Sequence, residues 1–255
     1  MLTPAFHKHV LEDYLETMNE KADIMIELIK KKMTKGKTSV EVQHFITLCA
    51  LDIIVETAMG DKSDLQSLEV QNDYVQAIYD VMAIVQKRQK SVWLWPDLIF
   101  KMTADGKVYE RSLKILHDFT RNVIESRWAD YQQKKAELGD NFETEYFGEA
   151  KSTRKHRLSF LGLTYIVPQT LDPLTLDTLL QAMDKGEIDM NGCCEEVDTF
   201  MFEGHDTTSA AMTWSLQEIG NNPAVLANCL DEVDRVFGDS DRPASIDDLN
   251  NLKVE

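Results

Sequence analysis

The sequence predicts a mainly α-helical fold, and three features carry that expectation. Apolar residues recur at alternating three- and four-residue steps over long stretches, the spacing that lines one face of a helix. Eleven glycines and six prolines are few for 255 residues, and most fall between the periodic stretches rather than within them. A stretch around residue 50 is apolar on nearly every side, the pattern of a helix buried at the centre of a fold.

Taken in order, Leu11, Leu15, Met18, Ala22, Met25 and Ile29 form the stripe of a first helix. The basic residues Lys30, Lys31, Lys32 and Lys35 suit its C-terminus, where the helix dipole is negative, and Gly36 can end it. A second helix is expected from Val40 to Met59, with Phe45, Ile46, Leu48, Leu51, Ile53 and Ile54 spread round it. A third runs from Tyr74 to Gln89 and is followed by an aromatic-rich loop, Trp93 to Phe100, broken by Pro96. That loop reads as a membrane-surface or ligand-access element or as core packing, the last being favoured. Leu113, Leu116, Phe119, Val123 and Ile124 mark a fourth helix that extends past Trp128 toward Leu138.

Residues 139–157 are polar and charged and read as an exposed connection. Residues 162–176 hold Pro168, Pro173 and a strand-like run from Leu163 to Val167, a poor match for helical neighbours. A fifth helix is expected from about Glu195 to Gly220, stopped by Asn221-Asn222-Pro223, and a sixth from Ala224 to Phe237 with Gly238 behind it.

Charge and cysteine content exclude several functions. With 27 Lys plus Arg against 44 Asp plus Glu, the formal charge is -17, so the chain repels phosphate backbones and a nucleic-acid partner is disfavoured. Cys49, Cys193, Cys194 and Cys229 lack the C-x-x-C spacing of metal sites and read as reduced, intracellular thiols, the adjacent pair as packing residues preceding the fifth helix. No stretch approaches the roughly 20 apolar residues of a spanning helix, and no signal-peptide run is present. G-x-S-x-G, G-x-x-x-x-G-K-[ST] and G-x-G-x-x-G are all absent, which removes the usual marks of hydrolases, P-loop proteins and dinucleotide binders.

Chemistry concentrates in Glu195-Glu196-Val197-Asp198-Thr199-Phe200-Met201-Phe202-Glu203-Gly204-His205-Asp206-Thr207-Thr208-Ser209. Glycine, threonine and aspartate each cost a helix interior about 0.5–1 kcal/mol relative to alanine, so a helix that carries them together has given up stability for something. Glu203 and Thr207 lie one turn apart on one face, taken here as the inward one, and the Thr207 hydroxyl can bond the Glu203 carbonyl and bend the helix. Two readings stay open. In one, Asp206 and the threonines are surface polar residues and Gly204 permits close helix packing; in the other, the cluster is functional. Glu203-x-His205 lacks the two-histidine spacing of a helical zinc site, so His205 reads as a solvent-facing or hydrogen-bonded residue and no metal ligand is assigned.

Residues 196–208, Glu-Val-Asp-Thr-Phe-Met-Phe-Glu-Gly-His-Asp-Thr-Thr, closely resemble the long central helix of family 4 cytochrome P-450 enzymes. Met1 to His7, Cys49 to Gly60, Trp93 to Phe100 and Arg154 to Leu158 resemble the same family in the same order, so the resemblance covers nearly the whole chain. It implies an incomplete cytochrome P-450 fold over residues 1–255, roughly helices C to J, with residues 162–176 as an insertion. It also implies site roles. Asp206 and Thr207 would sit over the distal haem face and help deliver protons, Gly204 would leave room for oxygen, and Thr208 would adjoin the cofactor. Glu203 matches a carboxylate that, in many family 4 enzymes, is esterified to a haem methyl group. Trp93 to Phe100 would fall between helices F and G, near the substrate channel and the membrane.

The departures bear on activity. The chain stops at Glu255, before the family's Glu-x-x-Arg helix and the Phe-x-x-Gly loop with the haem-ligating cysteine. The expectation is therefore a fragment, inactive as it stands, of a lipid- or fatty-acid-hydroxylating haem-thiolate monooxygenase. Its parent would use haem, an NADPH-dependent reductase and a lipid-like substrate at the endoplasmic reticulum membrane, held there by a missing N-terminus or the Trp93 to Phe100 loop. The rival expectation is a non-catalytic helical binding or scaffold protein.

Overall fold

A computed structural model describes residues 14–33, 39–60, 65–66, 71–142, 146 and 175–253. The described residues form helices α1 (Leu15–Met33), α2 (Gln43–Ile54), α3 (Gln71–Lys90), α4 (Asp97–Met102) and α5 (Ala104–Leu138), then α6 (Thr175–Asp184), α7 (Met190–Asn221), α8 (Pro223–Phe237) and α9 (Ile246–Asn251). No strand occurs among them, so the fold is mainly α as the periodicity implies. Leu11 and Gly36 lie outside the described residues, as do Leu163 to Val167 and residues 162–174 of the expected insertion.

The all-round apolar helix is at the centre. Leu51 of α2 is fully buried, and the helix runs on without a break into a π-helical turn, Val55–Met59, whose Val55 and Met59 are also fully buried. Gly60 ends that turn with φ 71°, a left-handed conformation that favours glycine. Around this axis pack Tyr74, Val75 and Ile78 of α3, Val123, Ile124 and Tyr131 of α5, and Leu176, Leu179 and Leu180 of α6. Cys193, Val197 and Met201 of α7 complete the core. Each fully buried Leu, Ile, Val or Met contributes roughly 1.5–3 kcal/mol by leaving water.

One expectation about the connections needs correction. The stretch after residue 139 is not simply exposed: Phe142 is buried, and Tyr146 stacks on it with ring centroids 4.9 Å apart. The stretch 162–176 includes the first two residues of α6, and Leu176 is fully buried in the core. Arg127 of α5 fixes α6 by a two-pronged pair, Nε and Nη2 each donating at 3.0 Å to the Asp177 carboxylate. Such a fork is planar and directional, so it sets orientation as well as proximity.

The favoured core reading of Trp93 to Phe100 is also corrected. Leu94 and Phe100 are buried, joining Ile84 in a small second core, but Trp93, Trp95, Leu98 and Ile99 point to solvent, Leu98 being 77% exposed. The segment is a 3-10 turn, Val92–Leu94, then Pro96 and the short helix α4. Between α4 and α5, Thr103 caps α5 by accepting from the Gly106 amide at 3.0 Å and donates to the Phe100 carbonyl at 2.7 Å.

Gly106 lets the two helices meet. A Cβ there would stand 2.0 Å from the Phe100 carbonyl oxygen, a backbone atom that cannot move aside alone. Gly106→Ala is expected to destabilise the chain by about 3 kcal/mol through overpacking. Gly220→Ala, where an added Cβ meets nothing within 4 Å, is expected to leave it unchanged or slightly firmer. Denaturant midpoints of the two variants check the contrast.

Candidate functional site

The long helix α7 carries the residues singled out from the sequence. It begins at Met190 rather than near Glu195, because Asp189 caps it and accepts from the Gly192 amide at 2.7 Å. Cys193 and Cys194 therefore lie inside the helix rather than before it, Cys193 fully buried as a packing residue. Its C-terminus falls at Asn221, one residue past the expected Gly220, and α8 begins at Pro223, one residue before the expected Ala224.

Burial divides α7 into faces. Cys193, Val197, Met201, His205 and Ser209 follow one another at four-residue steps and are all buried. Glu203, Thr207 and Thr208 are exposed, and Asp206 is half-buried. Trp214, 63% exposed, lies seven residues beyond Thr207 and so on its side of the helix. The expectation that Glu203 faces inward is corrected: within this chain its carboxylate lies on the open face, and no burial cost attaches to it.

A run of hydroxyls loosens this turn. Thr207 Oγ1 donates to the Glu203 carbonyl at 2.7 Å, as expected from the sequence, and Thr208 Oγ1 donates to the Gly204 carbonyl at 2.9 Å. Ser209 and Thr213 repeat the pattern on Asp206 and Ser209 carbonyls at 3.0 and 2.7 Å. Each such bond competes with the helix's own ladder for a carbonyl, which weakens the ladder locally and permits bending.

The bare α-carbon of Gly204 faces α2. A Cβ would stand 3.0 Å from Ile54 Cδ1 and 3.2 Å from Ile54 Cγ1, so the space that Gly204 leaves is filled by Ile54. This glycine sets how closely α7 approaches the central helix.

His205 is fully buried beside Tyr74 and Phe202, not solvent-facing; its Nδ1 bonds the Met201 carbonyl. That bond makes Nδ1 the protonated nitrogen of the neutral ring, and Nε2 has no partner among the described residues. Burial holds its pKa below the ordinary value against the opposing hydrogen bond to Met201, so the ring resists protonation.

Sequence reasoning did not find a second polar group on α7. Asp198 accepts from Thr120 Oγ1 of α5 at 2.5 Å and pairs with His117 Nδ1 at 2.7 Å. Its partners are about 80 residues away in sequence, and no local pattern announces them. This group fastens the N-terminal half of α7 to α5.

All four cysteines sit within helices: Cys49 in α2, Cys193 and Cys194 in α7, Cys229 in α8. Burial pushes the Cys49 thiol up to about 11 and the Cys193 thiol up to about 12, which disfavours the thiolate that iron ligation requires. Among the described residues no group of three or more His, Cys, Asp or Glu could hold a metal ion. No described helix is long and apolar enough to cross a membrane.

An exposed strip of α7 carries a carboxylate, two hydroxyls and Trp214, with a second carboxylate at its edge. Comparison with known proteins shows the family. The human protein "Cytochrome P450 4V2" is 41% identical over 254 residues, 99% of this chain and 44% of its own length. The fruit-fly "Cytochrome P450 4c3" is 36% identical over 257 residues, with 99% and 44% covered. The German cockroach "Cytochrome P450 4c21" is 34% identical over 253 residues, with 99% and 46% covered. The chain thus spans less than half the length of these relatives. The Cytochrome P450 family profile matches residues 1–254, and the chain belongs to that family, whose cofactor is haem.

Proposed function

We propose that this chain is the distal-side portion of a haem-thiolate monooxygenase that hydroxylates fatty acids or similar lipids, and that it is inactive by itself. The observation that carries this reading is the grouping of Glu203, Thr207 and Thr208 on the exposed face of α7, where the hydroxyls draw on the helix's own carbonyls. Haem, when bound, supplies the oxidising chemistry; the residues here hold it and manage protons.

Asp206 and Thr207 form the proton path. Asp206 is half-buried beside Thr207, at the edge of the exposed face. Thr207 presents its oxygen as an acceptor while its proton rests on the Glu203 carbonyl at 2.7 Å. Giving up that carbonyl bond turns the same hydroxyl into a donor, so it can take a proton on one side and pass one on the other. Gly204 serves by fixing the depth of α7 against Ile54, and Thr208, by drawing on the Gly204 carbonyl, adds to the local loosening of the helix.

The parent would take electrons from an NADPH-dependent reductase at the endoplasmic reticulum membrane. The exposed Trp93, Leu98 and Met102 are suited to rest on that lipid surface. Haem added to the purified chain, reduced and exposed to carbon monoxide, tests the proposal. The expected spectrum lacks the red-shifted Soret band of a thiolate ligand, and joining the C-terminal portion of a relative restores it. That band in the chain alone contradicts the account.

A further inference from the structure

We propose a ligand site remote from α7: an open groove of about 300 Å³ beside the turn joining α3 to α5, suited to a flat, uncharged ring compound. Its walls are Ile84 and Val85 of α3, Trp95 of the turn, Phe100 of α4 and Tyr109 of α5, with Arg88 and Gln89 also lining it. The volume lies at the small end of those that hold organic ligands, roughly 300–1,000 Å³, and the lining is of the usual kind, mostly apolar and aromatic with a few polar groups.

The groove is held open by one residue. Arg88 donates through Nε to the Leu94 carbonyl at 2.9 Å, through Nη2 to the Trp95 carbonyl at 2.8 Å, and to Asp97 Oδ1 at 2.5 Å. Its guanidinium lies over the Phe100 ring at 4.3 Å, and the Trp95 indole N–H returns a bond to the Arg88 carbonyl at 3.2 Å. Phe100 meets Tyr109 edge to face at 5.5 Å. The turn is thus fixed from several directions, and a site already shaped gives up little ordering entropy on binding.

Charge selects the occupant. Among the described residues Arg88 is the one cation in the lining, and Asp97 already neutralises it. The chain as a whole carries a formal charge of -17, which adds a field against anions. An anionic ligand gains nothing that Asp97 has not taken, whereas a neutral ring fits against Phe100, Tyr109 and Trp95 and can use the Gln89 amide for a single hydrogen bond.

Titration of the purified chain with 2-naphthol and, separately, with 2-naphthoate tests this, read by tryptophan fluorescence and by equilibrium dialysis. The naphthol, with about eleven heavy atoms, is expected to bind saturably at one site with a dissociation constant on the order of 10⁻⁴ M. Naphthoate is expected to bind at least tenfold more weakly. Val85→Trp, which fills the groove, should weaken naphthol binding tenfold or more, and Trp95→Phe should remove most of the fluorescence response while dialysis still detects binding. Leu230→Gln, which alters an exposed apolar residue of α8, should leave binding as it was. Should the filled variant not fold, the naphthol-to-naphthoate ratio and the Trp95→Phe response on the native fold decide the matter. Absence of saturable naphthol binding, equal binding of the two compounds, or equal loss with Leu230→Gln overturns the proposal.

Discussion

Replacing Lys21 by methionine is expected to destabilise the chain by roughly 3–5 kcal/mol, since it strands two carboxylates that, among the described residues, have no other cation in reach of a salt bridge. Lys21 is 4% exposed and pairs with Glu56 at 2.9 Å and Asp52 at 3.7 Å. Asp52 is fully buried in the central helix, and its other bonds come from the Leu65 amide at 2.9 Å and the Gln66 side chain at 3.3 Å. Burial pulls the Lys21 ammonium down, but its hydrogen bond to Glu56 and the charges of Asp52 and Glu56 outweigh that and raise it. Burial raises the Asp52 carboxyl above the usual range, against the opposing bonds from Leu65, Lys21 and Gln66.

The pH dependence follows in sign. A lysine raised in the folded state contributes stability below its unfolded pKa and loses it as pH climbs through the folded value, so the native chain should weaken on the alkaline side. A carboxyl raised in the folded state works the other way: the fold binds more protons than the unfolded chain, and stability falls as pH rises past the ordinary carboxylate range. Without Lys21 the Asp52 carboxyl should rise further. The Lys21→Met deficit is therefore expected to be smaller at pH 5 than at pH 8, and urea denaturation at the two values checks it. An equal deficit at both contradicts the buried-charge explanation.

The second large effect concerns Thr207. In an enzyme completed with the haem-ligating portion of a relative, Thr207→Ala should bind substrate normally but lose coupling by roughly tenfold or more, with the reducing equivalents appearing as hydrogen peroxide. Thr207 is exposed on α7, so removing its hydroxyl does not disturb the core, and alanine is the better helix former. Thr207→Ser should keep coupling, because it keeps a hydroxyl within reach of the Glu203 carbonyl. Measuring product formed against cofactor oxidised separates the cases; unchanged coupling in the alanine variant argues against a proton role.

The sequence showed the axis of this fold more clearly than its edges. Around α2 the all-round apolar pattern is produced by burial itself, and of the residues it singled out Phe45, Ile46, Leu48 and Leu51 are buried while Ile53 and Ile54 are half-buried. The same reasoning placed an apolar stripe on α1, yet Leu15, Met18, Ala22, Met25 and Ile29 are not fully buried and Lys21 is. That lysine goes inward for Asp52 and Glu56, more than thirty residues away, and pairing over that distance leaves no periodic trace. Helix α4 was missed because six residues after a proline give too short a pattern, and α6 because it follows Pro168 and Pro173 closely. Helix α9 had a readable signal, Ser245 three residues before Asp248, which proves to be a capping box. At the candidate site, the Thr207 bond to Glu203 was legible because it is local. The outward direction of Glu203 and the fit of Gly204 against Ile54 were not, since both depend on which side of α7 meets α2.

The central claim, that this face of α7 meets haem, is tested most directly at Glu203. Its carboxylate is exposed within this chain, so Glu203→Ala should fold as the native protein does. The completed enzyme is allowed to turn over, then denatured in acid and organic solvent, and the haem remaining with the polypeptide is measured. The account predicts that part of the haem stays attached to the native protein through an ester to Glu203 and that Glu203→Ala releases all of it. Equal release from both would contradict the placement of Glu203 against the cofactor.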